Sequence, residues 1–319
     1  MPGLSRRGAI QSSEGLIVRV FVAGATGYVG SAIVRDLLAA GEEVVGLARS
    51  DASARALARA GVEVHRGDLG DLESLRCGAA EAAGVVFAAN QHISETTDPA
   101  ARARVEFDAV EAIGAVLEGT GKPFVVTSGV IGRTPGRLLT EETPAVPTAA
   151  ALRLPVERSV LALGARGVRS SSVRLAPTVH GRGDARGFVP MLIGIARAQG
   201  VSAFVGDGSN RWPSVHREDA AVLFRLALRS ASPGTAVHAV AEEGVPFRDI
   251  AEAIGFRLGL PSVSLAAEEA DGHFGLLAPL VSLDNPASNA LTRERLGWAP
   301  SRPGLIADIE AGHYFEDAA

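Results

Sequence analysis

The sequence predicts a doubly wound parallel α/β sheet followed by a smaller C-terminal α+β lobe. Short β-branched runs alternate with amphipathic helical stretches through the first half. Three glycines sit between the first such run and the first such stretch. Beyond Pro177 the alternation breaks down. Regular βαβ alternation with short connections implies a parallel sheet, because each right-handed crossover lays a helix on one face.

Leu16–Ala23 reads LIVRVFVA, the composition of a buried parallel strand. Val29, Ile33, Val34, Leu37 and Leu38 then recur on one helical face, and Gly41 stands where a glycine stop is expected. EVVGLA (43–48) reads as a strand, Ala52–Ala60 as a helix, VEVHR (62–66) and GVVFAA (84–89) as strands. Ala100–Glu118 predicts a long helix, PFVVTS (123–128) a strand, and 151–165 a helix after a Pro/Thr/Gly-rich loop near 132–148. VRSSSVRLA (168–176) is a strand with polar interruptions. Farther on, FVPMLIGIARA, AAVLFRLAL and DIAEAIGFRLG read as helices, and VHAV (237–240) and VSL (263–265) as strands of the smaller lobe. The expected organisation is a flexible leader over 1–15, a nucleotide-binding domain over 16–177 and a substrate-binding lobe over 178–319.

At 319 residues the chain is long enough for one large domain or two modest ones, at roughly 150 residues per domain. Apolar residues make up 47 % and charged residues 21 %, as in globular proteins, which excludes bulk disorder. The net charge is −5 with basic and acidic residues interspersed, so no phosphate-backbone footprint is present and nucleic acid is not an expected partner. Cys77 is the single cysteine, which excludes an intrachain disulfide and a cysteine metal cluster, and a reducing cytoplasmic setting fits. The opening MPGLSRRGAIQSSEG lacks the apolar stretch of a secretory signal, and no apolar run is long enough to span a membrane.

Gly24, Gly27 and Gly30, in GATGYVG, lie between strand and helix. There a Rossmann-type fold lets a dinucleotide pyrophosphate approach backbone N–H groups at a helix N-terminus. Thr26, Tyr28 and Val29 belong to the same turn. The second strand ends in Leu47–Ala48–Arg49–Ser50, where NAD-binding proteins place a ribose-binding carboxylate. Arg49 offers a guanidinium for a 2′-phosphate and Ser50 a further donor, so NADP(H) is favoured over NAD(H), although Asp51 follows one residue late. Asp68 has two readings, an acceptor for the adenine amino group or a helix N-cap.

With these residues the sequence resembles the extended short-chain dehydrogenase/reductases, also called the NAD-dependent epimerase/dehydratase family. The resemblance runs from Val18 onward and rests on GATGYVG, GDL (67–69), AAN (88–90), TSG (127–129), RLAPTVHGRGD (174–184) and GDGSNRWPSVHRED (206–219). It extends the implied cofactor site to Asp68, Leu69, Ala88, Ala89, Asn90, Thr127 and Pro177. It also implies a Ser/Thr after the fifth strand, matched by Ser128, acting with a Tyr-x-x-x-Lys on the next helix. Anchored on Glu157, that helix puts Arg153 at the lysine and Ala149 at the tyrosine. No tyrosine or lysine occurs between 123 and 313, so no realignment restores the pair. The chain resembles an atypical member that keeps the cofactor cradle without the standard acid-base residues. Arg153 can bind ribose hydroxyls but cannot shuttle a proton.

Proton transfer then falls to His92 after the fourth strand or His180 after the sixth, both at carboxyl ends of the sheet. His216 beside Asp219 has the composition of a dyad, yet reads as helix entry with Asp219 as the cap. Phe188, Met191, Leu192, Phe274 and Leu277 are candidates for a pocket wall or for lobe core. The expected function is an NADP(H)-dependent reductase of a small or medium carbonyl or conjugated substrate. The alternatives are a nucleotide-sugar epimerase/dehydratase and a non-catalytic NADP(H) redox sensor. The expected partners are a small-molecule substrate and, by family analogy, a second copy in a homodimer.

Overall fold

The computed structural model describes residues 18–89, 98–130, 136–144 and 153–316. The first half alternates strand and helix: β1 (Arg19–Ala23), α1 (Tyr28–Ala39), β2 (Glu43–Ala48), α2 (Asp51–Arg59), β3 (Glu63–Arg66), α3 (Leu72–Glu81) and β4 (Gly84–Phe87). It continues through α4 (Pro99–Leu117), β5 (Pro123–Gly129), α5 (Leu154–Ala162) and β6 (Arg169–Leu175). The remainder holds β7 (Thr178–His180), α6 (Phe188–Gln199), β8 (Ser202–Val205), β9 (Arg211–His216), α7 (Arg217–Ser230) and β10 (Thr235–Ala239). It ends with β11 (Glu242–Pro246), α8 (Phe247–Leu258), β12 (Ser262–Leu265), α9 (Ala270–Phe274), α10 (Ala278–Val281), α11 (Ala290–Leu296) and α12 (Leu305–Glu310).

A seven-stranded sheet in the order β10-β6-β5-β4-β1-β2-β3, parallel throughout, forms the centre, which is the doubly wound fold expected from the alternation. Strand alternation feeds two separate cores. Val20 and Val22 point with Val125 to the face covered by α1 and α7, whereas Phe21 and Ala23 point with Phe124 and Val126 to the face covered by α3, α4 and α5. Both faces are buried, so these strands read as continuous apolar runs.

α7 and β10 lie beyond residue 177 and nonetheless complete this sheet: β10 pairs with β6, and α7 packs against α1. VHAV (237–240) therefore belongs to the large sheet and not to the smaller lobe. Alternation alone could not reveal this, because a parallel edge strand carries the same β-branched pattern wherever its hydrogen bonds go. Arg225 reinforces the α1–α7 contact by pairing with Asp36 at 2.6 Å.

The smaller lobe contains the three-stranded sheet β11-β9-β7 and the pair β12-β8. Its core centres on Trp212, 4.9 Å from Phe247 and 5.4 Å from Phe188 between ring centroids. Phe188, Met191, Leu192, Phe274 and Leu277 all pack into this core. α3 is an element the sequence pattern passes over. Its N-cap is Asp71, whose carboxylate accepts from Ser74 N–H, while Asp68 accepts from Gly70 and Asp71 N–H in the preceding turn. The N-cap reading of Asp68 is corrected accordingly.

Candidate functional site: a cleft at the switch point of the sheet

The strand order reverses between β1 and β4, and an open sheet presents its crevice there, beyond the carboxyl ends of the strands. A cleft of about 830 Å³ occupies that position. Its lining joins most of the residues marked by sequence: Gly24, Thr26, Gly27, Tyr28, Val29 and Gly30 of the glycine turn, Arg49 and Ser50 after β2, and Asp68 and Leu69 after β3. Ala88 and Ala89 after β4, Thr127 on β5 and Arg153 before α5 complete them. Asn90 and His92 lie outside the described residues, as does Ala149.

The three glycines have different physical reasons. Gly24 has φ +87°, and a Cβ there would stand 2.6 Å from the backbone carbon of Ala88 and nitrogen of Ala89. A Cβ on Gly30 would overlap the Gly24 carbonyl oxygen, so the start of α1 packs directly on the turn. Gly27 meets only that same carbonyl oxygen, at 3.2 Å, and leaves the backbone open to the cleft. Gly27 brings no side-chain cap and the first turn of α1 carries no carboxylate, so the positive end of the helix is not neutralised from within. This arrangement fits a dinucleotide pyrophosphate.

At one end of the cleft Ser50 caps α2 in a reciprocal pair with Ser53, and Arg66 donates to the Ser50 carbonyl at 2.9 Å and to Asp51 at 2.6 Å. Asp51, the late carboxylate of the sequence reading, is thereby engaged by a guanidinium. At the other end Arg153 is clamped by Glu106 of α4 through its Nε at 2.8 Å and through Nη2. Glu106 and its neighbour Val105, which also lines the cleft, carry no local motif, so only the packing of α4 against α5 brings them here.

Ser128 is not among the lining residues. The strand pleat turns its hydroxyl to the α5 side, where it donates to Glu157 Oε2 at 3.2 Å. Glu157 is 3 % exposed and is held by Arg174 Nε at 2.5 Å, and Arg174 Nη1 donates to the Glu141 carbonyl at 2.7 Å. Thr127 faces the opposite way.

Pro177 borders a second cavity, of about 470 Å³, which shares Thr26, Gly27 and Tyr28 with the first. His180 lies behind it, 1 % exposed, with Nδ1 2.9 Å from Asp308 Oδ2 and Nε2 without a partner among the described residues. Burial pushes the Asp308 carboxyl up, but His180, through its hydrogen bond and charge, with His313 and His216 behind it, holds the net value below the ordinary range. The chain's two tyrosines meet at Gly181: Tyr28 Oη donates to its carbonyl at 2.9 Å, and Tyr314 Oη accepts from its N–H at 2.9 Å. Burial pushes both phenols upward, so they stay protonated.

His216 is the N-cap of α7, its Nδ1 accepting from Glu218 N–H at 3.2 Å. The sequence reading gave that cap to Asp219, which instead accepts from Ser301 and Arg302 N–H and ties down the C-terminal segment. A side chain at the fourth position looks equally suited to either task, and only the distant partner distinguishes them. Burial, followed by neighbouring His180, pushes the His216 imidazole pKa below 6.5. The neutral ring is thus the native form, and its contribution is complete above about pH 6.5 and lost as pH falls through the lower folded value. His216→Asn keeps a capping acceptor and removes this titration. Thermal melts between about pH 7.5 and 5.5 are expected to show wild type losing more stability than the variant. Equal losses would remove His216 from that role.

The parallel sheet, its switch-point cleft and the glycine turn define a Rossmann-type nucleotide-binding protein. The chain belongs to the NAD dependent epimerase/dehydratase family, whose model matches residues 20–240. It is similar to an uncharacterized protein of Schizosaccharomyces pombe, 46 % identical over 298 residues that cover 93 % of this chain and 100 % of that one. It is also similar to the 2'-dehydrokanamycin reductase of Streptomyces kanamyceticus, 30 % identical over 261 residues covering 79 % and 70 % of the two chains. Among solved structures, the dTDP-glucose 4,6-dehydratase of Streptomyces venezuelae with NAD bound superposes with a TM-score of 0.75 at 18 % identity, over 94 % of this chain and 97 % of that one. Among the described residues no helix is long and apolar enough to cross a membrane, and no cluster of three or more His, Cys, Asp or Glu could hold a metal ion.

Proposed function

We propose that the chain is an NADP(H)-dependent reductase of a small or medium carbonyl or conjugated substrate. The observation that carries this reading is the single cleft running from Arg49 and Ser50, past the uncapped start of α1, to Thr127 and Arg153. Family membership supports a nicotinamide nucleotide as its occupant.

Gly27, Tyr28 and Val29 would hold the pyrophosphate, Arg49 and Ser50 a 2′-phosphate, Asp68 and Leu69 the adenine, and Arg153 the nicotinamide ribose. Glu106 fixes Arg153 so that its planar fork is already oriented. A bound reduced nicotinamide supplies hydride to the substrate. In the observed rotamer Ser128 commits its proton to Glu157, and His180 is turned to Asp308. Both therefore serve best as positioning residues for the end of β5 and for the 181–187 loop.

With no tyrosine or lysine between 123 and 313, a conjugated double bond is the substrate class this wall serves most simply. Hydride addition there leaves an enolate that water can protonate, whereas an unactivated ketone needs an acid at the developing alkoxide. Epimerase or dehydratase action begins with oxidation of a sugar hydroxyl and needs a base as effective as the absent tyrosinate.

The test is NADPH oxidation by the purified protein across enones, ketones and imines, with coenzyme affinity measured in parallel. Turnover of enones with NADPH is expected. Tight NADPH binding without turnover of any class would favour the redox sensor. Arg49→Ala is expected to weaken NADPH binding by about 10- to 100-fold, the value of a charge-assisted phosphate contact, with NADH changed by less than about 3-fold. An equal effect on both coenzymes would remove Arg49 from the 2′-phosphate.

A further inference from the structure

The second cavity holds a charge that the dinucleotide cleft does not use. Arg217, on its wall, is only 8 % exposed, yet no carboxylate among the described residues pairs with it. The adjacent Glu218 is taken by Arg35 and Arg302. The guanidinium lies 4.4 Å over the Tyr28 ring, donates through Nη1 to the Arg182 carbonyl and through Nη2 to Ser31 Oγ, both at 3.0 Å, and its Nε has no partner among the described residues. A buried guanidinium without a counter-charge is costly, and a ring face and two neutral acceptors offset this only in part.

Two further features point the same way. The uncapped N-terminus of α1, through Gly27 and Tyr28, opens on this cavity as well as on the cleft. On the facing loop, Asp184 Oδ1 accepts from Gly187 N–H at 2.7 Å and Arg186 N–H at 3.3 Å, while Oδ2 is buried with no partner among the described residues. Gly187 makes room for that oxygen, since a Cβ there would collide with it. Burial pushes the Asp184 carboxyl up, toward the neutral form.

We propose that this cavity is a subsite for an oxyanion of the substrate, a carboxylate or a phosphate, held by Arg217 beside the start of α1 and faced by Asp184 across the cavity. The subsite rests on the reading of the adjoining cleft as the dinucleotide site, because the shared wall of Thr26, Gly27 and Tyr28 then sets the anion beside the pyrophosphate. Binding an anion between Arg217 and Asp184 draws a proton onto Asp184, so affinity falls as pH rises through the Asp184 pKa. The groups that share its surroundings are His180 of β7, His216 and Arg217 at the start of α7, Tyr28 of α1, Asp308 and Tyr314 near the C-terminus, and Arg182 and Arg186 on its own loop.

Calorimetric titration of malonate and of inorganic phosphate into the full chain, with and without saturating NADPH, tests the proposal. Saturable binding of one probe is expected, and which probe binds identifies the class of oxyanion. Arg217→Met is expected to weaken it about 10-fold or more, and Arg217→Lys, which keeps the charge if the apolar variant unfolds, by less. Titrations in buffers of different ionisation enthalpy are expected to show proton uptake in wild type and none in Asp184→Asn.

No saturable binding of either probe to wild type overturns the proposal, as does undiminished binding by Arg217→Met. Proton uptake that persists in Asp184→Asn overturns the part given to Asp184. If Arg217→Met loses NADPH affinity to the same extent as anion affinity, the cation serves the dinucleotide and the subsite fails. Failure of NADPH to bind wild type sinks the reading of the cleft, while the titration without NADPH still decides whether the anion site exists.

Discussion

Gly30→Ala is expected to destabilise the protein by about 3 kcal/mol or more, at the upper end for overpacking, and to weaken coenzyme binding at least about 10-fold. The added methyl group would overlap the Gly24 carbonyl oxygen and stand 2.8 Å from its carbon. Neither neighbour can yield cheaply, because both are backbone in a turn already packed against Ala88 and Ala89. The start of α1 must therefore move outward, away from the cleft it is aimed at. Gly41→Ala is the control. Its φ of +81° strains an L residue, but nothing lies within 4 Å, so a cost of about 1 kcal/mol and unchanged NADPH binding are expected. Chemical denaturation with parallel fluorescence titration of NADPH measures both. A Gly30→Ala protein as stable as Gly41→Ala would show that the contact between helix and turn is not rigid.

Arg174→Leu is the second large effect, with an expected cost of about 3–5 kcal/mol. Arg174 and Glu157 are almost completely buried between β6 and α5, and removing the cation takes away the guanidinium that faces this buried carboxylate, beside its hydrogen bond from the Ser128 hydroxyl of β5. The Glu141 carbonyl loses its donor at the same time. Arg174→Leu combined with Glu157→Leu is expected to recover part of the loss, since an apolar pair of similar volume removes the stranded charge. Denaturant midpoints of the two single variants and the double variant give the coupling directly. A single-variant cost below about 1 kcal/mol would mean that water reaches the pair.

Most of the lining of the switch-point cleft was legible in the sequence because its parts are local. A glycine triplet between a strand and a helix, and a strand end followed by Arg49 and Ser50, are read from neighbours a few positions apart. The carboxyl ends of parallel strands then converge on one crevice by topology alone. The lining residue Val105, and Glu106 that clamps Arg153, were not legible, since nothing within a helical turn of them marks a site. Asp219 illustrates the same limit. It has the residue type of a cap, and its distant partners Ser301 and Arg302 decide the role.

By itself, then, the sequence determined the parallel α/β architecture, the glycine turn between β1 and α1 and the absence of tyrosine and lysine between 123 and 313, because periodicity, backbone freedom and residue identity act over short stretches of chain. Tertiary structure alone decided that β10 and α7 return to the large sheet. It also turned Ser128 toward Glu157, buried His180 against Asp308, and set Arg217 and Asp184 around one cavity. Each of these depends on which distant groups desolvate one another, and desolvation sets the cost of a buried charge or an unpaired donor through contacts that adjacent residues do not encode.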